Sequence, residues 1–282
     1  MNVLVCIKQI PDTTNVRIDR KTNNLIREGV PAVINPDDLH ALELAAHLKE
    51  EMGAKTCVLT MGPPQAINAL KDALMFGIDE AYLLSDRTFA GADTLATTYA
   101  LNLGINKIEE DFGRFDIILT GKQAADGDTG QVGPGIATRR GYSLGAYIEK
   151  IEKVTDEYVI AVRRIDRGYE KIRIKLPAVL TITHEFAKPR YGSLPDLIRA
   201  IKYEPKVLNA KDIGADPKLC GFFGSPTRVV RTNVPPARKG GDIISKNDEP
   251  KKAAERLLLE LKKFSAIRLV EIFNTILESD EK

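Results

Sequence analysis

The chain has 282 residues, of which 41 are Lys or Arg and 39 are Asp or Glu, giving a formal net charge of +2. With 43% apolar and 28% charged residues it has the balance of a folded globular protein, which excludes a disordered one. The near-zero charge lacks the basic excess of a general nucleic-acid binder, no apolar run approaches the ~18 residues of a membrane span, and the run in MNVLVCIKQIPD is too short for a secretory h-region.

Val3 to Lys8 (VLVCIK) is rich in β-branched residues and ends before Pro11, so it predicts a buried first strand. Residues 12 to 34 read as an excursion. Val16-Arg17-Ile18 alternates, Thr22-Asn23-Asn24 is turn chemistry, and Ala32-Val33-Ile34 is apolar again. Asn35-Pro36 predicts a helix start with Asn35 as its cap. Leu39, Leu42, Ala45, Ala46 and Leu48 form the apolar stripe of that helix. Lys55 to Thr60 predicts a second strand, ended by Met61-Gly62-Pro63-Pro64, and a helix follows over 65–76. Ala81 to Leu84 predicts a third strand, Asp93-Thr94 opens a helix to about residue 109, and Asp116 to Thr120 predicts a fourth strand. Strands separated by helical stretches imply the α/β class, with a parallel sheet and helices on both faces.

The pattern changes after about residue 145. Glu157 to Arg164 and Lys171 to Lys175 alternate around Asp166-Arg167-Gly168, which signals a hairpin, and Ala178 to Thr183 predicts another apolar strand. From His184 to about 250 periodicity fades, and this stretch holds eight of the fifteen prolines. Its length leaves two readings, a disordered segment or an arm lying on a partner. Residues 250–277 are strongly helical. The chain therefore divides into an α/β domain over 1–183, an arm over 184–249 and a C-terminal helix over 250–282. Cys6, Cys57 and Cys220 are odd in number and widely spaced. That suits a reducing cytoplasm, and it rules out a zinc ribbon or a cysteine-ligated iron–sulfur cluster held by this chain alone.

The strongest chemical signal is the run from Thr120 through Lys122, Gln123, Ala124, Ala125, Asp126, Gly127, Asp128, Thr129, Gly130, Gln131, Val132 and Gly133. It follows a strand end and opens a helix. Ligands of open α/β sheets bind outside the strand ends, glycines admit a phosphate, and N–H groups at a helix start hold anions. Asp126 and Asp128 would repel a phosphate, so they are expected to cap the helix or to face a ribose or adenine. An ordinary capped turn explains the same spacing equally well. G-x-x-x-x-G-K-[ST] and G-x-G-x-x-G are both absent. Cys6, Met61-Gly62, Thr94 and the helix start with Asn35, Asp37 and Asp38 should share the same rim. His40, His47 and His184 form no metal pair, no G-x-S-x-G elbow is present, and no cysteine has a His partner. The sequence thus predicts neither catalytic residues nor a metal site. It fits a chain that holds a cofactor which does the chemistry.

VLVCIKQIPD, VINPDDLHALE (33–43), LTMGPPQA (59–66), LTGKQAADGDTGQVGP (119–134) and LPAVLTITHEFAKPRYGSLPDLIRA (176–200) together resemble the beta subunit of electron-transferring flavoprotein. The resemblance implies a Rossmann-like, adenine-nucleotide-binding fold whose arm embraces an alpha subunit. It implies that Cys6, Asn35, Asp37, Asp38, Met61 and Lys122 to Gly133 hold an adenine nucleotide. In the bifurcating branch this is FAD, with NADH as hydride donor, and in ordinary members it is AMP. Asn35-Pro36-Asp37-Asp38-Leu39 and the segment from Asp86 to Thr97 resemble the bifurcating branch, which would bring Thr94 and Thr97 to the flavin or its diphosphate. His184 to Arg199 resembles a recognition loop for a partner dehydrogenase with Phe186 as its apolar anchor, and Arg164 falls near the alpha-subunit flavin. The implied partners are the alpha subunit, an acyl-CoA or hydroxy-acid dehydrogenase, and ferredoxin or flavodoxin. A stand-alone ATP-binding or stress-type domain and a purely structural partner protein are the rival readings.

Overall fold

Residues 1–12, 17–18, 25–26, 32–228 and 249–263 are described by the computed structural model. The first strand, β1 (Asn2–Ile7), sets the plan. Val3, Val5 and Ile7 point into one apolar core, and Leu4 and Cys6 point into another on the opposite face. A strand covered on both sides reads as an unbroken apolar run, and here it splits by the two-residue period of the pleat.

Three strand pieces follow β1 closely or lie in the excursion: β2 (Gln9–Pro11), β3 (Arg17–Ile18) and β4 (Leu25–Ile26). The last two pair antiparallel with each other, and β2 pairs with β5 (Ala32–Ile34). The remaining strands are β6 (Lys55–Met61), β7 (Glu80–Leu84), β8 (Ile117–Gly121), β9 (Ser143–Val154), β10 (Tyr158–Ile165), β11 (Gly168–Lys175), β12 (Ala178–Ile182) and β13 (Lys206–Leu208). The main sheet has the order β11-β10-β9-β12-β8-β1-β6-β7-β13. From β9 to β13 across that order every pairing is parallel, and β10 and β11 extend it as an antiparallel hairpin. The chain moves to one side of β1 for β6 and β7, then returns to the other side for β8. The point where the order reverses is therefore the β1/β8 junction.

Helices α1 (Pro36–Met52) and α2 (Ile67–Leu74) cover one face, and α3 (Thr94–Phe112) and α4 (Val132–Arg140) cover the other. The expected stripe of α1 is real: Leu42, Ala45, Ala46 and Leu48 are buried, and Leu39 packs against the same core. Gly53 ends this helix at φ +65°, and its N–H reaches back to Leu48 O and Lys49 O. Gly104 lets α3 lie close on β7, because a Cβ there would come within 2.7 Å of Leu84 Cδ1.

The sheet is larger than the sequence predicts. Strand β9 went unread because Gly145 and a run of charged residues mask its alternation. The stretch after His184 also carries more structure than its prolines suggest. It forms α5 (Leu194–Lys202), then β13 along β7, then the single turn α6 (Gly221–Gly224). One compact unit runs from Met1 to Thr232, so the boundary expected at 183 falls inside it. The second unit, Asn233–Lys282, is represented among the described residues by helix α7 (Pro250–Lys263), which begins where the sequence predicts. The expected turn at Thr22–Asn24, the arm over 229–248 and the helical stretch over 264–277 lie outside the described residues.

Candidate nucleotide site

The carboxyl ends of β1, β6, β8 and β12 lie side by side. Cys6 is level with Leu59 and Thr120, and Thr120 is level with Thr181. Asp38, in the first turn of α1, closes the junction between β1 and β8. Its Oδ2 accepts from Lys8 N at 2.7 Å and its Oδ1 accepts from Gly121 N at 2.9 Å. Burial pushes this carboxyl up to about 7, against the pull of those two N–H donors and of Asn35. Gly121 is required there, since a Cβ would lie 2.4 Å from Asp38 Oδ1.

Asn35 does not cap α1 with its side chain as expected. It is 2% exposed, and its amide is taken by the following loop: Nδ2 donates to Gln123 O at 2.8 Å, and Oδ1 accepts from Ala125 N at 3.0 Å. Asn35 N also donates to Lys8 O at 2.9 Å. One helix start therefore organises both the end of β1 and the loop after β8. Asp37 stands beside it with His184 Nδ1 at 3.8 Å, and partial burial raises its carboxyl above the usual range.

The loop turns tightly, with Asp128 N donating to Ala124 O at 2.8 Å and Asp128 itself at φ +48°. Of the two roles expected for Asp126 and Asp128, capping α4 or facing a ribose or adenine, the cap is not formed. Asp126 pairs with Lys8 Nζ at 2.6 Å, and Asp128 accepts from Gln123 Nε2 at 2.9 Å. The reason is the left-handed turn through Asp128 and Gly130, which separates their side chains from the helix start. No side chain caps α4. Its flanking residue Gln131 instead accepts from the Thr94 hydroxyl at 3.1 Å. Gly133 seats the first turn directly on the strand ends, since a Cβ would lie 2.6 Å from Thr181 Cγ2 and 2.8 Å from Thr120 Oγ1. By contrast, the start of α3 is closed by Asp93, which accepts from Leu95 N and Ala96 N. The uncapped start of α4, with Gly130 beside it and Lys122 on the preceding strand end, is a donor set that fits a nucleotide phosphate.

The other expected residues fall into place around this rim or away from it. Cys6 is buried, and burial pushes its thiol up to about 12, so it is a neutral wall group. Met61 packs into the core on the α3 side, and Gly62 N donates to Leu84 O at 3.0 Å. Thr97 lies further along the first turn of α3. Ala124, Ala125, Gly127 and Thr129 form the loop itself, with 125–129 exposed. Arg164 on β10 is held by Glu185 at 3.1 Å and stands 3.7 Å from Glu149. Phe186 is half-buried and packs against the main core, where the sequence reading made it an exposed anchor. Two contributors went unread. Lys8 fastens the loop, and Tyr147 sits at φ +59° with its ring 5.6 Å from Lys122 Nζ. Lys8 carries the ordinary signal of a strand end, and nothing in the local sequence announces the backbone of Tyr147. Among the described residues, no group of three His, Cys, Asp or Glu side chains is gathered for a metal ion.

Sheet order and rim together define an open, mostly parallel α/β protein with an anion-receptive site at its switch point. The electron transfer flavoprotein domain matches residues 22–212. The chain is 48% identical to the electron transfer flavoprotein subunit beta of Thermoanaerobacterium thermosaccharolyticum, over 88% of this chain and 93% of that one. It is 47% identical to the caffeyl-CoA reductase-Etf complex subunit CarD of Acetobacterium woodii (87% and 92% covered) and 47% identical to Protein FixA of Azorhizobium caulinodans (84% and 86% covered). The chain belongs to the electron transfer flavoprotein family, in its beta-subunit line.

Proposed function

We propose that this chain is the FAD-binding beta subunit of a cytoplasmic, bifurcating electron transfer flavoprotein, paired with an alpha subunit that carries a second FAD. The observation that carries the reading is the uncapped start of α4, set on Thr120 and Thr181 by Gly133 and flanked by the loop that Asn35 holds. Its N–H groups and Lys122 would hold the diphosphate, and the polar turn from Asn35 to Asp38 would hold the adenosine. A flavin held there would supply the redox chemistry, with NADH as the hydride donor and the alpha-subunit flavin and ferredoxin or flavodoxin as the two one-electron acceptors. The side chains of this subunit bind and orient, and none is assigned a proton to transfer. Arg164, held by Glu185, would be the cation near the alpha-subunit flavin that the family resemblance implies.

A partner dehydrogenase of the acyl-CoA or hydroxy-acid class takes electrons from the alpha-subunit flavin. The relative from the caffeyl-CoA reductase-Etf complex supports the acyl-CoA class. The surface for that partner is the segment after His184. Phe186 roots it in the core, and the exposed side chains Tyr191, Leu194, Leu197, Ile198 and Ile201 supply the apolar contact. The C-terminal helix from Pro250 is a further candidate contact for the alpha subunit.

The test releases and counts ligands from the purified heterodimer. Two FAD per heterodimer supports the reading. One FAD with one AMP refutes it and makes this a non-bifurcating subunit with a structural nucleotide, and ATP turnover by a colourless single chain would make it a stand-alone nucleotide-binding domain.

A further inference from the structure

Helix α5 is mounted inside out. Amphipathic surface helices usually turn their apolar stripe to the core. Here Leu194, Leu197, Ile198 and Ile201, spaced i, i+3, i+4 and i+7, are 68%, 40%, 47% and 63% exposed. Ala200 is its only fully buried residue. Polar anchors hold the inner side. Arg199 donates to Leu74 O at 2.9 Å, Lys71 Nζ donates to Ile201 O at 3.4 Å, and Gly192 runs so close to α2 that a Cβ would lie 2.6 Å from Met75 Cβ.

The strongest anchor precedes the helix. Arg190 N donates to Glu43 Oε2 at 2.9 Å, its Nε lies 3.0 Å from the same oxygen, and one terminal nitrogen lies 2.9 Å from Glu43 Oε1. Both terminal nitrogens also engage Glu50, one of them at 3.1 Å. Glu43 and Glu50 are seven residues apart on α1, so they stand on one face, two turns apart, and grip a single guanidinium between them. Glu43 is only 14% exposed and Arg190 30%, so the pair is screened less than a surface ion pair. A forked, bidentate cation fixes an orientation that a lysine ammonium would not.

We propose that Arg190 is a positioning residue for partner docking. Clamped by Glu43 and Glu50, it sets the angle at which α5 presents its apolar stripe, so the stripe meets the dehydrogenase already formed. This rests on the docking surface assigned above and adds the device that holds it. A preformed helix avoids the ordering cost that a loose segment pays on binding.

The experiment uses the intact heterodimer with an acyl-CoA dehydrogenase as electron acceptor, and compares Arg190→Gln, the double variant Glu43→Gln/Glu50→Gln, and Ile198→Asp. Amide exchange is followed over 194–202, with the strands β1, β6 and β8 as the report of a native sheet. Arg190→Gln and the double variant are both expected to raise KM for the dehydrogenase about tenfold, leave kcat within about twofold, and speed exchange in α5. The double variant leaves the docking segment untouched, so a direct contact between Arg190 and the partner would not reproduce this result. A native KM and native α5 exchange in the double variant, beside a raised KM in Ile198→Asp, overturns the positioning role alone. A native KM in Ile198→Asp overturns the docking surface and the role of Arg190 with it.

Discussion

Asp38→Asn isolates the group at the centre of the rim. In the native chain the carboxylate takes two backbone N–H groups, from Lys8 and Gly121, while burial raises its pKa from 3.8 to about 7. An amide keeps one acceptor and turns an NH2 toward the other donor, at a cost of about 1–3 kcal/mol at any pH. The ionisation adds a pH-dependent difference. Because the folded carboxyl holds its proton more tightly than the unfolded one, ionising it disfavours the folded state. That penalty is absent below the unfolded value, grows as pH rises through the folded value, and is complete above it. A shift from 3.8 to about 7 is worth about 4 kcal/mol in all, of which about 3 kcal/mol accrues between about pH 5 and pH 8. The variant lacks the penalty. Its stability relative to the native chain should therefore rise by about 3 kcal/mol between about pH 5 and pH 8. Urea unfolding of the heterodimer across that range measures the difference. A constant difference would refute the assignment of a buried, proton-holding Asp38.

Gly133→Ala places a methyl group against Thr120 and Thr181, both buried, and lifts the start of α4 from the strand ends. It should cost about 1–3 kcal/mol and lower nucleotide content in the purified complex, whereas full occupancy would detach that helix start from the site. The thiols of Cys6, Cys57 and Cys220 are buried, and burial pushes Cys6 up to about 12. Native protein at pH 8 should resist iodoacetamide at all three and label fully in denaturant. Fast native labelling of Cys6 would show that the end of β1 is open.

The central strands were legible because burial on both faces leaves a continuous apolar run, as in β1 and β8, and because Pro and Gly mark the ends. The loop from Lys122 to Gly133 was legible from its glycines and its place after a strand. What it does with its aspartates was not. A local pattern of Asp and Thr before a helix reads as a cap, yet Lys8 and Gln123 claim those carboxylates, and only the folded chain brings Lys8 to Asp126. The same holds for Asn35, whose flanking position is visible in sequence and whose amide partners are not. Helix α5 is not legible because nine residues, with Pro195 in the first turn, give too short a window, and its stripe points away from the core that periodicity is assumed to serve. For Phe186 the resemblance implies an apolar anchor for a partner, and its packing against the main core is visible only in the fold.

The bonds from Asp38 and Asn35 to the loop join residues 83, 88 and 90 positions apart. As the chain leaves the ribosome, helix α1 is made long before the residues it must hold, and β12 follows later still to flank them. On the proposed function, the rim that would receive a coenzyme is incomplete until that late stretch has emerged and taken its place between β9 and β8.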